Sequence, residues 1–174
     1  MFVVKSNSQI NPPSNNLGYR ISPIVKLYAL NYGGLKKESN MNQIALLTPV
    51  LVLILWTFFI FLLMAYGRVK FTKNPQDAAH TNNLKGMLPD WVERTSDNYN
   101  HLFEQPVAFY VVTLSIALMN SFDSFIVQLA WGFVLIRIIH SLVQLTINIV
   151  LVRFVLFALG WIAIALMAYS QLFA

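Results

Sequence analysis

The chain has 174 residues, of which 57% are apolar and only 11% are charged, and it contains no cysteine. This composition is typical of a one-domain membrane protein and argues against a soluble globular domain. The lack of cysteine excludes a disulfide framework, a thiolate metal site and a cysteine nucleophile. Most of the net charge of +5 lies in residues 1–40, which hold five basic side chains and one acidic one, so it does not indicate nucleic-acid binding.

Residues 1–40 are rich in Asn, Ser, Pro and Gly and show neither sustained apolar periodicity nor the apolar core of a signal peptide. We expect them to form a disordered extension. Met41 stands directly before the first apolar run, and Lys37-Glu38 can be encoded by a sequence that resembles a bacterial ribosome-binding site. We therefore hypothesise that Met41 is the native start of the protein.

Four apolar runs predict four membrane-spanning helices, at about residues 44–66, 102–119, 125–145 and 149–172. The first run has no charged residue over its whole length, which is about the length needed to cross a hydrocarbon core of roughly 30 Å. The predicted fold class is an all-α integral membrane protein, a bundle of four transmembrane helices that occupies residues 41–174.

The polar loop at residues 68–105 carries five basic side chains, so the positive-inside rule places it in the cytoplasm and both chain termini outside. Its last part suits a helix. We expect a cytosolic helix that begins around residues 90–97 and runs on into span two through Pro106.

Span three carries a polar stripe within the most apolar part of the chain. Counted from Arg137, the residues His140, Ser141, Gln144 and Asn148 fall at +3, +4, +7 and +11, and at about 100° per residue all of them lie on one helix face. A lipid-facing arginine in the middle of a span costs roughly 2.5–3.5 kcal/mol on insertion scales. The stripe is therefore expected to face the protein interior.

Two interpretations of this stripe remain open. Polar side chains in membrane helices can simply bond neighbouring helices together. Alternatively Arg137, His140 and Arg153, at the start of span four, form an anion site sheltered from bulk water, since arginine stays charged and forks onto carboxylates.

A second candidate group opens span two. Asn100 and Glu104 are four residues apart, and on a continuous helix they share a face. Glu104 stands at the membrane edge beside Pro106 and needs a cationic partner there, for which Arg137 and Arg153 are the candidates. The sequence contains no recognisable phosphate-binding loop, metal-ligand cluster or serine triad.

The order and spacing of these motifs resemble the MAPEG family, the membrane-associated proteins in eicosanoid and glutathione metabolism, and especially its bacterial members. The resemblance covers about residues 41–174. It is carried by four short stretches, which are Glu93-Arg94, Asn100-His101-Leu102-Phe103-Glu104-Gln105-Pro106, Arg137-Ile138-Ile139-His140-Ser141 and Arg153.

This resemblance implies a homotrimer that holds glutathione between subunits near the cytosolic side. It implies that Arg153 activates the glutathione thiol as the catalytic residue. The implied glutathione-binding residues are Arg94, Asn100, Glu104, Arg137, His140 and Gln144. Gln144 stands where better-known members have a tyrosine, and Asn100 and Glu104 are one residue further apart than in many members. No metal is implied.

Two hypotheses about function follow. The first is a membrane enzyme, in a bacterial inner membrane, that uses glutathione as a thiolate against a lipophilic electrophile or hydroperoxide from the surrounding lipid. The second is a non-catalytic trimeric membrane protein, structural or scaffolding, in which the polar stripe only holds helices together. A small transporter is a weaker third, because no repeat or broken helix pair suggests alternating access.

Overall fold

The computed structural model describes residues 23–74, 76, 84, 86–120 and 122–173. The chain divides into two compact units, Met1–Lys37 and Glu38–Ala174. In the first unit the described residues form the beginning of helix α1. The expected disordered extension therefore differs from the structure over residues 23–40, which are helical, while residues 1–22 lie outside the described part of the chain.

Five α-helices make up the described residues, and no strand occurs among them. Their bounds are α1 Pro23–Phe71, α2 Asp90–His101, α3 Gln105–Met119, α4 Ser124–Leu145 and α5 Val150–Leu172. Within this described part, four helical segments are long and apolar enough to cross a membrane, namely Gln43–Phe71, Asp90–Met119, Ser124–Leu145 and Val150–Leu172. The predicted class, an all-α membrane protein with four spans, is confirmed.

The second unit is built around a continuous apolar core. Leu46, Leu53 and Ile60, spaced seven residues apart, are fully buried along one face of α1. Phe109 of α3 stacks on Phe133 of α4 with ring centroids 4.3 Å apart. Helix α5 packs mainly against α4 and also against α3. This core joins α1, α3, α4 and α5.

Large apolar side chains remain exposed on every spanning segment. On α1 they include Leu51, Leu55, Phe58 and Leu62, and on α5 they include Phe154 and Leu166. In water such surfaces would be a liability, but on helices that cross a membrane they suit contact with lipid or with another apolar helix.

The connections from α3 to α4 and from α4 to α5 are short, and single residues fix their geometry. Asp123 caps α4 by accepting a hydrogen bond from the backbone amide of Ile126 at 3.1 Å. Between α4 and α5, Asn148 adopts a left-handed backbone conformation with φ of 49°. Asn is one of the few residues that enter this region readily. The tight turn brings the start of α5 back beside the end of α4.

Candidate functional site

The polar stripe of α4 is buried, as predicted. Arg137, His140, Ser141 and Gln144 are each at most 3% exposed. The predicted continuation to Asn148 is wrong, because α4 ends at Leu145 and Asn148 belongs to the following turn. Arg137 Nε, His140 Nδ1, Ser141 Oγ and Gln144 Oε1 form no hydrogen bond within the described residues.

Arg137 binds the turn between α2 and α3. Its Nη2 donates a hydrogen bond to the backbone carbonyl of His101 at 2.6 Å, and its Nη1 lies 3.4 Å from Gln105 Oε1. The last carbonyls of α2 accept amides of the following turn, that of His101 from Glu104 at 3.4 Å, and the guanidinium adds a shorter hydrogen bond to the same carbonyl. Arg137 thereby sets the position of His101.

Gln105 extends this connection to α5. Its Nε2 donates to the carbonyl of Phe157 at 2.9 Å. The approach is possible because Gly160 lies opposite: a Cβ there would stand 2.5 Å from Gln105 Oε1. Helices α3, α4 and α5 are thus joined by polar contacts through Arg137 and Gln105.

The expectation that Asn100 and Glu104 share one helix face is wrong. Helix α2 ends at His101, residues 102–104 form a turn, and α3 begins at Gln105. Pro106 explains the break, because its ring would collide with the carbonyl four residues earlier in a continuous helix and it has no N–H to donate. Both Asn100 and Glu104 are exposed.

His101 contacts two charged side chains at once. Its Nδ1 lies 3.0 Å from Glu104 Oε2, and its Nε2 lies 3.2 Å from Arg153 Nη2. Glu104 therefore has a histidine as its partner. The expected arginine, Arg153, contacts the other nitrogen of that histidine. The ring of His140 stands 6.2 Å from that of His101, at an interplanar angle of 74°.

The partners of His101 favour one tautomer of its ring. A guanidinium nitrogen can only donate, so Nε2 of His101 must accept from Arg153. Nδ1 then carries the proton and donates it to the Glu104 carboxylate. These contacts fit an imidazole held between a carboxylate and a guanidinium, with its tautomer set by both neighbours.

Arg153 lies in the first turn of α5, and its hydrogen-bonding partners are neutral. Its Nη1 donates to Asn148 Oδ1 at 2.9 Å, and its Nη2 donates to the imidazole of His101. It forms no ion pair with any carboxylate among the described residues. A half-buried guanidinium without a direct anionic partner is suited to bind an anion from outside the chain.

A pocket of about 240 Å³ opens beside this guanidinium. Its polar side is formed by His101, Glu104, His140 and Arg153. Its apolar side comes from the start of α5, and the residues there are Val150, Phe154 and Phe157. The pocket therefore combines one cation, one carboxylate and two imidazoles with an apolar wall on a spanning helix.

The pocket brings together three of the seven residues predicted for the site, which are Glu104, His140 and Arg153. Arg137 supports the turn beside it. Asn100 and Gln144 do not line it, and Arg94 has another contact, since its Nη1 donates to the backbone carbonyl of Thr146 at 2.7 Å and so caps the end of α4.

Sequence reasoning missed His101 as a member of the site. A usable signal was present, because His101 and Glu104 are three residues apart and both are polar at the edge of a span. Across the described part of the chain, no three His, Asp or Glu side chains are placed to hold a metal ion together.

Comparison with known proteins agrees with this architecture. The sequence model of the MAPEG family matches residues 46–173. This range contains every residue of the pocket and all four spans, apart from the beginning of the first one. No curated protein and no solved structure matches the chain. The match covers well over half of the sequence, and the protein is an integral, multi-pass membrane protein that belongs to the MAPEG family.

Proposed function

We propose that this protein is a membrane enzyme that binds glutathione as its thiolate in the pocket beside Arg153 and directs it against a lipophilic electrophile or hydroperoxide. The observation that carries the proposal is the guanidinium of Arg153, which faces the pocket with a neutral amide and a neutral imidazole as its hydrogen-bonding partners. Membership of a family associated with glutathione supports the choice of thiol.

The energy required is within reach of one guanidinium. A free thiol has a pKa of about 8.5, so only a few per cent is ionised at neutral pH. Lowering that thiol pKa by two units takes roughly 2.7 kcal/mol of preferential interaction with the anion. Two unit charges 4 Å apart interact by about 4 kcal/mol at an effective dielectric constant of 20. Arg153 alone can therefore stabilise the thiolate.

The apolar wall supports a lipophilic second substrate. Val150 and Phe154 are exposed on a helix that crosses the membrane, and both line the pocket. A hydrophobic molecule can thus reach the sulfur along α5 while the charged part of glutathione stays on the polar side. The carboxylates of glutathione need cations beyond Arg153, which we expect a neighbouring subunit of a homotrimer to supply.

Difference absorption in the ultraviolet thiolate band tests the proposal on detergent-purified protein titrated with glutathione. The wild type should develop the band at neutral pH, Arg153→Ala should lose it, and Arg153→Lys should keep part of it because the charge remains. Lys70→Ala is a matched control, since Lys70 is an exposed cation bonded to Tyr66 at the end of α1, away from the pocket. A wild type without the band at saturating glutathione would reject the enzyme and leave the structural or scaffold alternative.

A further inference from the structure

We propose that His101 is the base that removes the proton from the thiol, with Glu104 as the group that stabilises the resulting imidazolium. This inference rests on the proposed binding of glutathione and adds a second task to it: Arg153 stabilises the thiolate, and His101 accepts the proton. The carboxylate–imidazole–guanidinium arrangement of Glu104, His101 and Arg153 is its basis.

The tautomer of His101 is the correct one for this role. Its Nδ1–H is directed to Glu104, so the lone pair on Nε2 is directed toward Arg153 and the pocket. A thiol that approaches Arg153 therefore meets a basic nitrogen beside the cation. In the step itself the hydrogen bond from Arg153 Nη2 to Nε2 breaks, the S–H bond breaks with its electron pair left on sulfur, and the proton forms a new N–H bond at Nε2.

The charges balance within the cluster. After the transfer, the imidazolium of His101 lies between the Glu104 carboxylate and the new thiolate, while the thiolate also contacts Arg153. The guanidinium hydrogen that Nε2 accepted before the transfer becomes available to the sulfur. His101 is partly exposed, with a side-chain relative accessibility of 34%, so it can pass the proton on to water.

Other groups near the pocket fit the task less well. Glu104 is a carboxylate, and in water a carboxylate is about 100-fold less basic than an imidazole. His140 is only 3% exposed, and its Nδ1 has no hydrogen-bond partner in the described residues, so no carboxylate stabilises a proton there. Arg137 and Arg153 remain protonated and cannot act as bases.

Arg137 makes the position of the base reproducible. Its Nη2 holds the backbone carbonyl of His101 itself, and it is buried between α4 and the turn. His101 is thus oriented by contacts to its backbone, to Nδ1 and to Nε2, which come from three different side chains. A residue that only filled space at the end of α2 would need none of these polar contacts.

Stopped-flow mixing of the protein with glutathione, followed in the thiolate band, tests the assignment at neutral pH. His101→Asn keeps a polar side chain next to Glu104 and Arg153 but cannot take the proton, and it should slow thiolate formation by about 100-fold or more. His101→Ala should be equally slow, and free imidazole added to the buffer should restore its rate in proportion to the imidazole concentration. Lys70→Ala should react at the wild-type rate, and thermal unfolding in detergent should establish that each variant is folded.

The outcomes separate this inference from the proposed function. A wild type that never shows the thiolate band defeats glutathione activation altogether. A wild type with the band, together with His101→Asn at the wild-type rate, defeats only the base and leaves His101 with a structural task. A slow His101→Ala that does not respond to imidazole also overturns the assignment, because a missing base is what imidazole replaces.

Discussion

Arg137 and His101 are joined by a hydrogen bond of 2.6 Å from the guanidinium of one to the backbone carbonyl of the other. The contact links the buried polar face of α4 to the turn that presents His101 and Glu104 to the pocket. Arg137 is 1% exposed and does not line the pocket, and it thus stabilises the position of residues that do.

Replacing Arg137 should damage both stability and glutathione binding. In Arg137→Ala the carbonyl of His101 keeps only the 3.4 Å contact from the backbone amide of Glu104, and the loss of a hydrogen bond to a charged group costs about 1.5–3 kcal/mol. Arg137→Lys keeps the charge but cannot bond His101 and Gln105 together as a planar fork, so it should recover only part of the loss. Thermal unfolding in detergent measures the first effect, and glutathione titration measures the second.

The same variant separates the two hypotheses about the stripe. If the protein is only a scaffold in which the stripe holds subunits together, Arg137→Ala should lower the mass measured by size-exclusion chromatography with light scattering. If Arg137 serves the pocket, the mass should equal that of the wild type, which we expect to be a trimer, while glutathione binding falls.

Gly160→Ala should destabilise the protein through Gln105. The new Cβ would lie 2.5 Å from Gln105 Oε1 and 3.0 Å from its Cδ, so the side chain that joins α3 to α5 must move. Overpacking of this kind typically costs about 1–3 kcal/mol.

Gly132→Ala on α4 is the matched control, because a Cβ there meets nothing within 4 Å. The control should be neutral or more stable by about 0.5–1 kcal/mol, as expected for alanine inside a helix. Equal melting temperatures for the two variants would contradict the role given to Gln105.

Asn148→Asp should weaken glutathione binding without changing the shape of the site. The substitution is nearly isosteric, and the side-chain oxygen of Asn148 lies 2.9 Å from Arg153 Nη1, so a carboxylate there competes with the thiolate for the cation. An ion pair worth about 1.4 kcal/mol lowers the affinity about tenfold. Asn148→Gly removes the amide but tolerates the left-handed backbone, and it should have the smaller effect. Titration in the thiolate band compares all three proteins, and an unchanged affinity in Asn148→Asp would argue against Arg153 as the anion site.

The orientation in the membrane can be tested with single cysteines, because the chain has none of its own. Lys73→Cys lies just after α1 in the loop expected to be cytoplasmic, and Ser124→Cys lies at the start of α4, at the opposite end of the spans; both positions are exposed. A membrane-impermeant maleimide should label Ser124→Cys in intact cells and Lys73→Cys only after the cells are opened. The reverse pattern would place the loop outside.

Much of the fold follows from local properties of the sequence. Four long apolar runs have few alternatives to crossing a membrane as helices, since every backbone polar group must be bonded within the span. The burial of the stripe on α4 could also be predicted from the sequence. Helical periodicity alone places Arg137, His140 and Gln144 on one face, and the energetic cost of a lipid-facing arginine turns that face inward.

The pocket depends instead on how the helices end and how they are placed next to one another. Pro106 interrupts span two, so Asn100 and Glu104 leave the shared face that a continuous helix would give them. The end of α4 at Leu145 removes Asn148 from the stripe and makes it a partner of Arg153. Periodicity carries no information across a turn, and it could not show that His101 would lie between Glu104 and Arg153, which are 49 residues apart in the sequence. The sequence alone therefore identifies Arg153 as a charged residue near the start of an apolar span. Its neutral partners and its neighbouring base follow only from the packing of α5 against the turn between α2 and α3.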